Sequence, residues 1–135
     1  MYEQKKLDTI VDFIAQHNHF TLTTEEGFHM TSKALSQDEF NYYSVNAYEA
    51  FKEFYLTYFS LTFFLPTSEL LPFEKIYVGA NKYFSSVKER QKLIRDKVFN
   101  PGCGTELSTL RDEVLACNRE NVRVIGTYFR KFLVD

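Results

Sequence analysis

The chain has 135 residues, of which 44% are hydrophobic and 25% charged, with a net charge of −2. That length supports one domain, 1–135, with a core of its own, and the composition excludes collagen-like, low-complexity and disordered classes. There are 14 Phe and 9 Tyr but no Trp, and the charge is divided: residues 1–80 carry 5 Lys+Arg against 11 Asp+Glu, whereas residues 81–135 carry 11 against 7.

In residues 2–17, Leu7, Ile10, Val11 and Ile14 recur at helical spacing and predict a first helix. Asp8 and Asp12 fall where a signal peptide would need apolar residues, which argues against a leader. From residue 20 the pattern changes. FTLTT and FHMTS are rich in Thr and aromatic residues and are separated by EEG, a pattern that predicts a small β-hairpin at about residues 20–31, or a loop over the same span.

Ser36-Gln37-Asp38-Glu39 has the form of a capping box and starts a second helix, which runs to about Leu65. Along it Tyr43, Ala47, Ala50, Phe51, Phe54, Tyr55, Tyr58 and Phe59 hold helical spacing, with aromatic side chains spilling over several faces. An apolar arc that wide belongs at the centre of a bundle or half in an interface, so Phe51, Phe54, Tyr55 and Tyr58 are candidate homodimer contacts. The stretch AFKEFYLTYFSLTFFLP includes Lys52 and Glu53 and stops at Pro66, too short and too polar to span a bilayer.

Proline at 66 breaks the second helix, because it lacks the amide donor and biases its predecessor away from helical angles. A third helix follows from Ser68 or Leu71 to Phe99, with Phe73, Ile76, Tyr77, Ala80, Phe84, Val87, Ile94 and Val98 near one stripe. Pro72 fits only near its first turn. Asn100-Pro101-Gly102-Cys103-Gly104 ends it, and a fourth helix starts at about Thr105. Its seam is Leu107, Leu110, Val114, Cys117, Asn121, Val124, Tyr128 and Phe132. Asn121 there either fixes register through buried hydrogen bonds or, with the helix slightly rotated, points to solvent beside Val122, the reading the sequence favours. The fold class is therefore mainly α: an antiparallel four-helix bundle with the small hairpin inserted after the first helix.

Candidate chemistry is sparse. Cys103 and Cys117 match neither a zinc spacing nor a disulfide framework, which suits a reducing, cytoplasmic setting. His17 and His19, with Glu25 and Glu26 nearby, are too loosely spaced to predict a metal site, and no motif calls for a cofactor. The basic run Lys82, Lys88, Arg90, Lys92, Arg95 and Lys97 is relieved by Glu89 and Asp96. Lys88, Lys92 and Arg95, spaced i, i+4, i+7, share a face, and Arg119, Arg123, Arg130 and Lys131 add cations on the next helix. A nucleic-acid-binding set of Lys88, Lys92, Arg95, Arg119 and Arg123 is one reading of these charges; solvated helix faces are the other.

The stretch Leu93-Ile94-Arg95-Asp96-Lys97-Val98-Phe99-Asn100-Pro101, a basic helix end before a Pro-Gly break and a final amphipathic helix, resembles the HEPN superfamily of small helical bundles. Ribonucleases of that superfamily carry an arginine, usually followed by Asp or Asn, and a histidine four to six positions after it. Arg95 and Asp96 match, while Asn100 stands in the histidine's place. An amide cannot exchange protons near neutrality, although Arg95 can still stabilise phosphate charge. The resemblance thus implies a catalytically reduced, non-enzymatic regulator of the toxin, antitoxin or defence type that binds RNA or a partner. The alternatives are a protein-interaction module (an immunity protein, chaperone or accessory regulator) with no nucleic-acid role, and a metal-independent ribonuclease using Arg95, Asp96 and Asn100 with a histidine from elsewhere in the fold.

Overall fold

A computed structural model describes the backbone at residues 2–33, 36–97 and 104–134, and the side chains at 3–33, 36–96 and 108–130. The described residues fold into four helices: α1 (Tyr2–Thr31), α2 (Gln37–Phe64), α3 (Thr67–Lys97) and α4 (Gly104–Val134). No strand occurs among the described residues. Successive helices run in opposite directions. Phe13 of α1 meets Phe54 and Tyr58 of α2, while Gly27 further on lies beside Tyr43 and Ala47. Helices α1 and α3 run parallel, tied by Lys6 to Glu69 at one end and by Arg90 to Ser32 at the other. They form the middle of the bundle, with α2 packed on one side and α4 on the other.

The predicted hairpin at 20–31 is the last three turns of α1. Thr and Gly favour extended structure and turns only weakly, and burial decides against them here. Phe13, His17, Phe20, Thr24, Phe28 and Thr31 fall on one helical face and are all buried, a stripe that would be destroyed by strand geometry. Gly27 is no turn residue. It allows close approach of α1 to α2: a Cβ there would lie 3.4 Å from the Tyr43 carbonyl oxygen and 3.6 Å from the Ala47 Cβ. The same stripe rotates α1 relative to the sequence reading, so that Leu7 and Val11 are exposed and Ile10 and Ile14 half-buried.

Local signals for α2 hold. The Ser36 hydroxyl accepts from the Glu39 amide at 3.2 Å, and Leu65 ends the helix in extended geometry ahead of Pro66. Pro72 sits in the second turn of α3. It can neither donate to the Ser68 carbonyl nor disturb the capping bonds from Glu69 and Leu70 to the Pro66 carbonyl. The core is built of rings. Phe20 stacks on Phe54 (5.6 Å, 12°), Phe13 meets Phe73 edge-on (5.3 Å, 87°), and Phe51 lies flat on Phe84 (4.4 Å, 4°). Tyr83 is buried among them, and the loss of water pushes its phenol well above the usual range.

Candidate functional site

Helix α3 presents two flanks, one toward α2 and one toward α4. On the α2 side, Lys88, Lys92 and Arg95 line a cleft of about 410 Å³ with Ser44, Tyr48, Phe84, Glu89 and Gln91. The i, i+4, i+7 spacing places the three cations along this edge, as the sequence predicts. They are anchored by aromatics: the Lys88 ammonium lies 5.5 Å from the Phe84 ring centre, and the Arg95 guanidinium 5.4 Å from that of Phe40. Arg90, just behind them, covers Phe28 at 5.0 Å and donates to the Ser32 hydroxyl.

Lys88, Lys92 and Arg95 have no ion pair among the described residues, and the cleft holds three cations against the single carboxylate of Glu89. The Ser44 oxygen is buried at its edge without a hydrogen-bond partner. The arrangement can hold an anion by charge and hydrogen bonding, with the Tyr48 ring beside it offering a stacking surface.

The α4 flank differs. Leu71, Glu74, Lys75, Val78, Gly79, Lys82, Glu120, Arg123 and Val124 line a second cleft of about 320 Å³. Arg123 is committed there to Glu120 through a two-pronged contact of 2.8 and 2.6 Å. That bond holds the Glu120 carboxyl below its ordinary range and the Arg123 guanidinium above its own. Arg119 is exposed on α4. The five sequence-predicted nucleic-acid residues therefore do not form one ridge: Lys88, Lys92 and Arg95 come together, and Arg123 belongs to the other flank.

Arg95 and Asp96 are exposed near the end of α3, and Asn100 lies outside the described residues, as does Cys103. Among the candidate interface residues, Phe54 is completely buried within the chain and has no surface to offer a partner. Phe51 and Tyr58 are half-buried against the core, and only Tyr55 is exposed. The exposed apolar face of α2 lies further round, at Val45, Tyr48, Leu56, Phe59 and Phe63.

The sequence reading also misplaces Asn121. It is buried between α1 and α4, where His17 Nε2–H donates to its Oδ1 (2.7 Å) and its own amide donates to the Thr21 hydroxyl (3.1 Å). Burial lowers the His17 pKa, partly offset by the bond to Asn121, so the ring is held neutral. A histidine sealed in this way is unavailable for metal binding or proton transfer to a substrate. His19 and His29 are exposed, and no three His, Cys, Asp or Glu side chains converge among the described residues.

Ser44, Tyr48 and Gln91 are cleft residues the sequence did not flag, because only the packing of α2 on α3 brings them beside the cations. Among the described residues, no helix is long and apolar enough to cross a membrane. No family model, no curated protein and no solved structure matches the chain.

Proposed function

We propose that this protein is a non-enzymatic binding and regulatory module that holds the phosphate backbone of single-stranded RNA in the α2/α3 cleft and works as a homodimer. The observation that carries this reading is the convergence of Lys88, Lys92 and Arg95 in one cleft with no carboxylate paired to any of them among the described residues. Three converging cations with no ion pair among the described residues cost a folded protein self-repulsion, which an anionic polymer relieves while releasing its own counterions.

The resemblance to a catalytically reduced HEPN-like module of toxin, antitoxin or defence type fits this reading. Arg95, the motif arginine, lines the cleft, and the buried His17 supplies no proton-transfer group to compensate for Asn100. Protein partnership without RNA is the second reading, favoured by the exposed aromatic face of α2. Binding of a fluorescent single-stranded RNA across a salt series separates the two. The first requires affinity that falls steeply with salt and is lost in Lys92→Glu; indifference to both leaves only the second.

A further inference from the structure

The outer face of α2 carries Val45, Tyr48, Tyr55, Leu56, Phe59 and Phe63, respectively 55%, 51%, 42%, 51%, 49% and 72% exposed. With Lys52 among them, the positions 45, 48, 52, 55, 59 and 63 are separated by three or four residues each, as along a helix-pairing seam. This seam is separate from the one that buries Phe54 and Leu61 inside the bundle. Its aromatic part is already ordered: Tyr55 stacks with Phe59 (6.3 Å, 20°), Phe59 meets Phe63 edge-on (5.2 Å, 87°), and Tyr55 rests against Tyr77 of α3 (5.9 Å). A preformed strip loses little side-chain freedom on docking.

We infer that this face pairs with the same face of a second copy, antiparallel, about a two-fold axis close to Tyr55 and Leu56. The inference deepens the reading of the chain as a homodimeric binding module and rests on its homodimer part alone. Three observations select this occupant.

The first is area. Taking about 200 Å² for a fully exposed large side chain, the six residues offer roughly 600 Å² of largely apolar surface, close to the ~800 Å² that each partner buries in a standard interface. Lys52 and the flanking polar residues supply the remainder.

The second is charge. All five charged residues of α2, Asp38, Glu39, Glu49, Lys52 and Glu53, lie before its last eleven residues, and residues 54–64 carry none. A parallel pair would set Glu49, Lys52 and Glu53 each against its own copy. The antiparallel pair lays the uncharged segment 54–64 over the charged segment of the other copy and places Lys52 against Phe59 of the second copy, where its stem packs and its ammonium faces a ring.

The third is self-complementarity. Two-fold pairing about residues 55 and 56 matches Tyr48 with Phe63 of the other copy and Tyr55 with Leu56, so the rings of Tyr48, Tyr55 and Phe63 each meet an apolar side chain. An anionic membrane surface, by contrast, would meet a helix carrying four carboxylates and one lysine.

The test uses the full chain in sedimentation equilibrium and in disulfide trapping, the latter in a Cys103→Ser, Cys117→Ser background. The protein is expected to be dimeric at micromolar concentration. The double variant Leu56→Glu, Phe59→Glu should be monomeric, with unchanged helical circular dichroism and a dissociation constant raised by about 100-fold or more. Leu56→Cys should cross-link to itself on mild oxidation. Tyr48→Cys should cross-link to Phe63→Cys when the two are mixed, and not to itself. A wild-type monomer at high micromolar concentration, a dimer untouched by the double glutamate variant, or efficient self-cross-linking of Val45→Cys would each overturn the proposal. So would a monomer that floats with zwitterionic phosphatidylcholine vesicles. Lys92→Glu should remain fully dimeric, so failure of the RNA reading and failure of this one give different results.

Discussion

The two flanks of α3 carry the same number of cations on different foundations. Beneath Lys88, Lys92 and Arg95 lies a layer of rings, Phe84 on Phe51 and Phe40 under Arg95, and the charges have no ion pair among the described residues. On the α4 side Lys75, Lys82 and Arg123 share a cleft with Glu74 and Glu120, and Arg123 is bound. Behind that flank Gly79 lies against the Asn121 backbone, and the interior is the polar chain His17, Asn121, Thr21. A rigid aromatic base holds the cations of the first flank in place, whereas the polar interior fixes which way α4 faces, and on its surface Arg123 is bound to Glu120.

Removing the base of the first flank should have the largest effect. Phe84→Ala deletes a buried ring that packs on Phe51 and Phe20 and supports Lys88, and is expected to cost about 3–5 kcal/mol in urea unfolding. A loss below about 1 kcal/mol would mean that the aromatic layer is not structural.

On the other flank, Asn121→Ala leaves the His17 ring N–H and the Thr21 hydroxyl without partners, and should cost about 1–3 kcal/mol. Unfolding of His17 variants then sharpens the contrast through pH. In the unfolded chain His17 takes up a proton below about pH 6.5, while burial keeps it neutral in the fold. The unfolded state therefore binds more protons in that range. Stability should be level above pH 6.5 and decline as pH falls below it, until the lowered folded value is reached. His17→Gln should flatten that decline, whatever its effect on absolute stability, and an unchanged slope would show that His17 is not the group responsible. At the small end, Gly126→Ala meets no atom within 4 Å and should stabilise α4 by up to about 1 kcal/mol through helix propensity. Arg123→Ala, at an exposed ion pair, should leave the urea midpoint where it is.

Much of this architecture is legible before folding. The Ser36 cap, the stop at Pro66 and the Phe73, Ile76, Ala80, Phe84, Val87 stripe are local or periodic signals, and all appear where they predict. The end of α1 is not legible, because FTLTTEEGFHMTS has weak helix propensity and is held helical by the burial of Phe20, Thr24, Phe28 and Thr31 against the other helices. Periodicity identifies Asn121 as lying in a seam, yet its partners are 104 and 100 residues away, beyond any local pattern. For the same reason Phe54 and Tyr55, adjacent in sequence and both aromatic, could not be sorted into core and surface. Lys88, Lys92 and Arg95 share a face by spacing alone, but the split from Arg123 emerges only from which neighbour each flank of α3 faces.

The difference between the flanks is tested most directly by the salt dependence of single-stranded RNA affinity in Lys92→Glu, Arg95→Glu and Arg123→Glu proteins compared with the wild type. The account predicts that each cleft variant weakens binding by about tenfold or more at low salt and flattens the dependence of log affinity on log salt by roughly one unit or more, while Arg123→Glu changes neither. Equal losses on both flanks, or wild-type protein with no salt-sensitive affinity, would contradict it.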